Sequence, residues 1–460
     1  EDFLLITVAD NGRGMDQSTV TYAKNPFWTS RKTRRVGLGL ALLDMSTRQC
    51  EGSLKIQSQI GKGTIVEAKF QHSHWDRPPL GNMVNTILVL FTANSSVNLD
   101  YYHDVDAKSF HLATRDIKEI LGFNDLSNIC KERIPTIYWG TAPTGTIHIG
   151  YFIPILKIAD FVKAGCNVKI LIADLHAYLD NMKSTLDQIE HRVKYYIIMI
   201  TEMLKFLDVD MSKIEFVVGR DFQMSPAYIM DVYKINSMVT LTDAKHAGAE
   251  VVKQSDNPML SGLMYPLLQC LDHQHLGVDC QLGGNDQRKI FAFSHKIMPK
   301  MGYKKGIQLM TPMLSGLRFK SKDEVNNDDD DTTNKMSASE IETKIDLLDS
   351  KKMIGKKINK TYCLLGNVDD NCLLELLEKV IFPIAQNKQI SFIINRKEEY
   401  GGQIIYDKFD HLKNDFQTEA LHPGDLKLGV SNFINFVLEP IRSKFLDNSM
   451  KELLKKAYGK

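Results

Sequence analysis

Apolar and polar positions fall into three regimes along the chain. Residues 3–8 (FLLITV) are an apolar run of strand length leading into a Gly-rich turn, and residues 65–70 alternate as a half-buried strand does. From about residue 109 to 345, short apolar runs such as 134–140 (IPTIYWG) and 167–178 (NVKILIADLHAY) alternate with stretches of helical period. That alternation predicts a parallel α/β sheet. From about 346 to 460 the pattern is mainly helical and Lys-rich. The regimes predict domains 1–108, 109–345 and 346–460. The junction 113–122 (ATRDIKEILG) reads as an amphipathic helix that could belong to either neighbour. Residues 321–334 (SKDEVNNDDDDTTN) hold one apolar side chain, Val325, and read as a disordered acidic loop.

Composition narrows the classes. Apolar residues make up 43% and charged residues 25%, the mix of a soluble globular protein. Lys plus Arg is 57 against Asp plus Glu 56, net +1, which excludes holding nucleic acid by bulk charge and leaves room for a local basic face. The seven cysteines stand far apart, with no C-x-x-C pair. This argues against a zinc module or disulfide scaffold and for a reducing compartment. The apolar run 84–93 is too short to span a bilayer. No secretory signal is visible, and a start at Glu1 inside a strand-like run reads as incomplete.

Three Gly-rich boxes mark the N-terminal regime. Asp10-Asn11-Gly12-Arg13-Gly14 closes the first strand; a carboxylate there could accept from an adenine amine, or the segment is a surface turn. Gly37-Leu38-Gly39 precedes an apolar helix pattern whose start could cradle phosphates. Gly61-Lys62-Gly63-Thr64 leads into the alternating strand. Together, over about residues 1–70, these resemble the ATP-binding fold of sensor histidine kinases, gyrase and Hsp90. The resemblance implies Asp10, Gly12 and Gly14 at adenine and Gly37 and Gly39 at a phosphate lid. The Asn, and the Glu where there is one, that this family carries on an earlier helix are not in the sequence. The expectation is an incomplete α+β fragment without ATPase activity, an inert remnant or one part of a fusion.

In the central regime, a strand (134–140) runs into the Pro/Gly loop 141–146 (TAPTGT) and then His148-Ile149-Gly150-Tyr151 at a helix start. An imidazole there can donate to a phosphate oxygen as charge develops, and Gly150 leaves room for an adenine ring; alone, His148 is also an ordinary helix-start residue. Lys335-Met336-Ser337-Ala338-Ser339 sets an ammonium and hydroxyls on a loop, suited to a departing pyrophosphate. Beside the acidic run it could equally be a solvated linker. Tyr265, Gln269 and Asp272 recur at helical spacing on one face, a pocket wall or a solvent-facing polar stripe.

With segments 138–142 (YWGTA), 173–181 (ADLHAYLDN), 247–254 (AGAEVVKQ), 283–289 (GGNDQRK) and 422–427 (HPGDLK), residues from about 109 to 460 resemble the tyrosyl-tRNA synthetase family of eukaryotic and archaeal type, class I. The resemblance implies a Rossmann-like α/β catalytic domain and a helical anticodon-binding domain. It implies catalytic roles for His148, Gly150, Lys335 and Ser337. ATP contacts would come from Pro143, His148, Gly150, Tyr151, Gly283, Asp286, Lys335, Met336 and Ser337. Tyr138, Tyr265, Gln269, Asp272 and Gln287 would surround bound tyrosine. A site built to hydrogen-bond a phenol rejects phenylalanine, an effect for which this family is the standard example. Ala338 stands where many members carry a second lysine, which leaves Lys335 to carry more, and the acidic insert is atypical.

In the last regime Lys351, Lys352, Lys356, Lys357 and Lys360 form a basic cluster, either a solvated face or a phosphate contact. Tyr400 could stack on an anticodon base, with Phe409 better suited to the core. No further RNA-binding appendix is expected after Lys460. The expected protein activates L-tyrosine with ATP, with Mg²⁺, and transfers it to tRNA(Tyr). It needs no organic cofactor and no metal held by its own side chains. It is expected to be a cytoplasmic homodimer without membrane contact. Three alternatives remain: an ATP-binding or sensor-kinase-like protein acting through residues 1–70, a catalytically inactive tRNA-binding relative, and the related tryptophan enzyme.

Overall fold

A computed structural model describes residues 2–28, 38–81, 86, 90, 100–105, 108–113, 117–180, 184–251, 259–319, 336 and 341–459. The chain forms two compact units, 1–89 and 90–460.

In the first unit, β1 (Phe3–Asp10), β2 (Ser53–Gln59) and β3 (Gly63–Gln71) make an antiparallel sheet in the order β1-β3-β2. The register Leu4↔Phe70 and Ile6↔Ala68 puts these four on one face. There they pack with Cys50, Leu54 and Leu43 into a small core under the helix Leu38–Gln49. Asp44 of that helix is nearly buried and is held between Lys24 (3.1 Å) and Arg48 (2.7 Å).

The second unit opens with a hairpin, β4 (Asp100–Val105) and β5 (Lys108–Ala113). A six-stranded sheet follows: β6 (Glu119–Leu121), β7 (Ile137–Thr141), β8 (Val168–Ile172), β9 (Ile214–Val218), β10 (Cys280–Gly284) and β11 (Ile307–Thr311), in the order β6-β11-β10-β7-β8-β9. All pairs are parallel except β6 against β11. Strands such as VKILI and IQLMT read as continuous apolar runs because helices cover both faces of a parallel sheet. The chain winds outward through β7, β8 and β9, then returns to place β10 on the other side of β7. That reversal opens a crevice beyond the carboxyl ends of β7 and β10, where ligands of such sheets bind.

Between β9 and β10 the chain inserts the helices Gly219–Gln223, Pro226–Met238, Leu241–Ala247 and Leu260–His275. Tyr228, Ile235, Leu267 and Leu271 form their separate core. The C-terminal part contains the helices Lys351–Lys360, Pro423–Lys444 and Asn448–Tyr458 and the hairpin β12 (Phe392–Ile394) with β13 (Ile404–Tyr406).

Three differences from the sequence reading have physical reasons. Residues 119–121 are an edge strand and not part of a helix: Ile120 pairs with Leu309 across the open edge of β11, so tertiary pairing overrides a short amphipathic pattern. A boundary at 108/109 would cut β5, and the compact unit begins earlier. The division at 345/346 separates no cores, because Ile147 and Met199 share one buried cluster with Ile354, Leu373 and Leu438.

Candidate active site

The loop after β7 carries His148 at the N-cap of a 3₁₀ turn, Ile149–Tyr151, that runs into the helix Phe152–Lys163. Its flanks Ile147 and Ile149 are buried. They also bond to the segment after the acidic insert: Ile149 N–H donates to the Ile345 carbonyl (2.9 Å) and Leu347 N–H to the Ile147 carbonyl (3.1 Å). Nearby, the buried Lys344 ammonium donates to the Thr146 hydroxyl (2.7 Å) and lies 3.5 Å from Asp346, which also bonds Thr146.

The Gly150 N–H donates to His148 Nδ1 (3.3 Å), so the neutral ring carries its proton on Nε2. Burial, reinforced by the Lys344 charge and opposed by Asp346, pushes the His148 pKa down to about 3. Near neutral pH it is a fixed, uncharged donor. A Cβ at Gly150 would lie 3.0 Å from His148 Cε1 and 3.1 Å from Nδ1. The atoms nearest to that missing side chain are thus the imidazole's own. Tyr151 sets its ring edge-on to His148 (5.1 Å), and Pro143 is buried in the same loop.

Across the crevice, β10 ends in Gly283 and Gly284, and the turn Asn285–Gln287 follows. A Cβ at Gly283 would meet Gln287 Oε1 at 2.9 Å and Phe291 at 2.5 Å; at Gly284 it would meet Asp286 Oδ1 at 2.5 Å. These glycines bring Asp286 and Gln287 against the strand end.

The helix Leu260–His275 turns its polar stripe inward. Gln269 Nε2 donates to Gln287 Oε1 (2.7 Å), and the Tyr265 ring packs edge-on against His176 (4.7 Å). Asp272 is 1% exposed, and its Oδ1 accepts from Gln223 Nε2 and from the Tyr228 hydroxyl, both at 2.7 Å. Its Oδ2 lies 3.7 Å from His176 Nε2. Burial pushes the Asp272 pKa up to about 7, against the pull of those two hydrogen bonds. Burial also lowers His176, to about 4. Tyr138, on β7, is fully buried, and its hydroxyl has no hydrogen-bond partner among the described residues. Burial and the Asp272 charge push its pKa well up. A buried phenol without a partner beside a buried carboxylate is costly unless a ligand completes the set.

The structure thus gathers Tyr138, Tyr265, Gln269, Asp272 and Gln287 around the sheet's switch point. Lys335 and Ser337 lie outside the described residues. Met336 between them is buried, and its N–H donates to the Leu314 carbonyl (2.7 Å). Sequence reasoning missed Gln223 and Tyr228, which have no spacing signal toward Asp272. It also missed His176, which lies within the segment 173–181.

In the first unit Asp10 Oδ1 accepts from Gly12 N–H (2.8 Å), so the carboxylate closes its own turn. Gly14 adopts φ +65°, and a Cβ there would come 1.9 Å from the Gln59 carbonyl oxygen, which makes glycine a packing requirement of the turn. Gly39 is exposed and crowded by nothing; Gly37 lies outside the described residues. The lysine cluster needs a correction. Lys357 is buried and donates to Asp349 Oδ2 and to the Lys344 carbonyl, both at 2.7 Å. Lys351, Lys352, Lys356 and Lys360 remain exposed. Tyr400 is exposed, whereas Phe409 packs against Phe382.

Residues 131–439 match the family model described as tRNA synthetases class I (W and Y). Residues 1–74 match that of the histidine kinase-, DNA gyrase B- and HSP90-like ATPases. A cytoplasmic tyrosine–tRNA ligase of Danio rerio is 48% identical over 351 residues, covering 76% of this chain and 63% of the relative. The Saccharomyces cerevisiae cytoplasmic tyrosine–tRNA ligase is 46% identical over 359 residues, covering 76% and 88%. The Archaeoglobus fulgidus tyrosyl-tRNA synthetase, solved in complex with L-tyrosine, superposes with a TM-score of 0.63 at 33% identity, covering 72% of this chain and 97% of that one. The chain spans less than two thirds of the length of the vertebrate relatives it matches. Fold, crevice and these likenesses agree: the chain belongs to the class I tRNA synthetases of the tryptophan and tyrosine family.

Proposed function

We propose that the second unit is a tyrosine–tRNA ligase. The observation that carries this reading is the buried Tyr138 hydroxyl, without a hydrogen-bond partner among the described residues and with its pKa raised by burial and the Asp272 charge, while Gln269 of the Asp272 helix is bonded to Gln287. Tyr138 and Asp272 read the phenol hydroxyl of the substrate. Tyr265, Gln269 and Gln287 surround its ammonium group.

In the first step the tyrosine carboxylate oxygen attacks the α-phosphorus of ATP, forming tyrosyl-adenylate and releasing pyrophosphate. No side-chain nucleophile is required. His148 donates from Nε2 to a phosphate oxygen on which charge grows, and Lys335 with Ser337 meets the leaving pyrophosphate. Pro143, Tyr151, Gly283, Asp286 and Met336 shape the nucleotide's surroundings. In the second step a ribose hydroxyl of the tRNA's terminal adenosine attacks the adenylate carbonyl, and AMP leaves. No group of three His, Cys, Asp or Glu among the described residues could hold a metal. Mg²⁺ would enter with the nucleotide and would neutralise part of its phosphate charge.

Exposed Lys351, Lys352, Lys356 and Lys360 suit tRNA phosphates, and Tyr400 suits an anticodon base, which assigns residues 346–460 to tRNA binding. Met224, Met230, Tyr233, Met238 and Leu241 expose apolar surface on the inserted helices, the face we assign to a second copy. The relatives named above are cytoplasmic, and we place this chain there too. Among the described residues, no helix is long and apolar enough to cross a membrane.

Charging of tRNA(Tyr) by the full chain with tyrosine, and not with tryptophan, is the expected result. Charging with tryptophan would move the assignment within the family. tRNA binding without charging would make the chain a binding-only relative. A Gly150→Ala variant is expected to lose about tenfold or more in adenylate formation, since its methyl displaces the imidazole by an effect worth at least ~1.4 kcal/mol. Unchanged pyrophosphate exchange in that variant would show that the ring position is not critical.

A further inference from the structure

The loop that carries His148 is held from the far end of the chain. The Gly145 carbonyl accepts two hydrogen bonds of 2.8 Å, one from the Tyr196 hydroxyl and one from the Tyr458 hydroxyl, 313 residues away. A carbonyl has two lone pairs, and both are used here. Arg192 bridges the same two segments: its Nη1 donates to the Thr144 carbonyl (2.6 Å) and its Nε to the Ala457 carbonyl (2.9 Å). Its guanidinium also lies over the Tyr458 ring, 4.8 Å from the centroid. Tyr195 completes the contact. Its ring packs edge-on to Tyr458 (5.4 Å) while its hydroxyl accepts from Ile147 N–H (3.3 Å).

Tyr458 is the last residue of the helix Asn448–Tyr458, which ends at Gly459 in the left-handed conformation. Ala457 is completely buried. Core packing alone would need neither a phenol hydroxyl on Gly145 nor an arginine joining two backbone carbonyls. These groups fix the path of residues 144–147, directly before His148. A loop with two carbonyls tied to three side chains on two helices loses freedom before any nucleotide arrives, which is how preorganisation lowers the cost of reaching a reactive geometry.

We propose that the end of the C-terminal helix is a positioning element for the nucleotide loop, with Tyr458 and Arg192 as positioning residues that set residues 144–147, and through them His148, against the ATP phosphates. The proposal rests on the ligase reading above. It makes adenylate formation depend on the last helix of the part assigned to tRNA binding. A disturbance of that helix, by tRNA or by a partner, is then felt at the phosphates.

The test is pyrophosphate exchange by the full chain at saturating tyrosine, with ATP varied, in Tyr458→Phe and Arg192→Lys. Tyr458→Phe keeps the ring and deletes one hydroxyl; Arg192→Lys keeps the charge and deletes the two-carbonyl bridge. Each is expected to lower kcat/KM for ATP by about tenfold, the upper range for one lost hydrogen bond, with the Kd for tyrosine within about twofold of the parent. A merely structural role would lower Tm and weaken tyrosine binding as much as ATP use, and that pattern would overturn the proposal. So would kcat/KM for ATP within about twofold of the parent in both variants. Absence of exchange in the unmodified chain would instead remove the ligase reading, and this proposal with it.

Discussion

A His148→Ala variant forms adenylate about 10²-fold more slowly than the parent, or worse, while binding tyrosine normally. The imidazole is buried, neutral and fixed by the Gly150 N–H, so its Nε2 proton is aimed before the nucleotide arrives. Preorganised donors of this kind act on charge that is larger in the transition state, and losing one costs roughly 10² to 10³ in rate. His148 is also an N-cap, whose loss alone costs about 1 kcal/mol of stability. His148→Asn separates the two effects, because asparagine caps well but does not place a donor where Nε2 stands. Both variants should show the same loss in pyrophosphate exchange, with Tm recovered in the asparagine variant. Near-parental exchange in either would remove His148 from the mechanism. Lys335→Ala is expected to lose a similar factor.

Asp272→Asn weakens the preference for tyrosine over phenylalanine by about 10- to 100-fold, the worth of a hydrogen bond to a charged group. The carboxylate has one oxygen saturated by Gln223 and Tyr228 and the other turned toward His176. Unchanged selectivity would place the phenol elsewhere. The same variant reports on ionisation. Because the Asp272 pKa is raised from 3.8 to about 7 by burial, this group favours the folded state most below pH 4. That contribution is lost as pH rises to 7. The asparagine variant does not titrate there. Its Tm relative to the parent should therefore rise between pH 4 and 7 and stay level above. A difference independent of pH would mean that Asp272 ionises normally.

Much of this architecture is legible in the sequence, for local reasons. Buried parallel strands are continuous apolar runs, the Pro/Gly loop announces the sheet's first crossover, and Tyr265, Gln269 and Asp272 share a face by helical period alone. What escaped is non-local. Gln223 and Tyr228 read as ordinary helix residues until the inserted helices fold them onto Asp272. Lys357 reads as one more surface lysine, yet it neutralises Asp349 inside the fold. Residues 119–121 carry a helical pattern too short to resist the open edge of β11. Nothing near Tyr458 in sequence points to Gly145. In the first unit the Gly-rich pattern reads as room for a ligand; at Gly14 the constraint is the chain's own β2–β3 turn.

The most direct test of the central claim is ATP–pyrophosphate exchange by the whole chain, with tyrosine, tryptophan and phenylalanine supplied separately. The account predicts exchange with tyrosine alone. Exchange driven by tryptophan, or none in a folded protein, would contradict it.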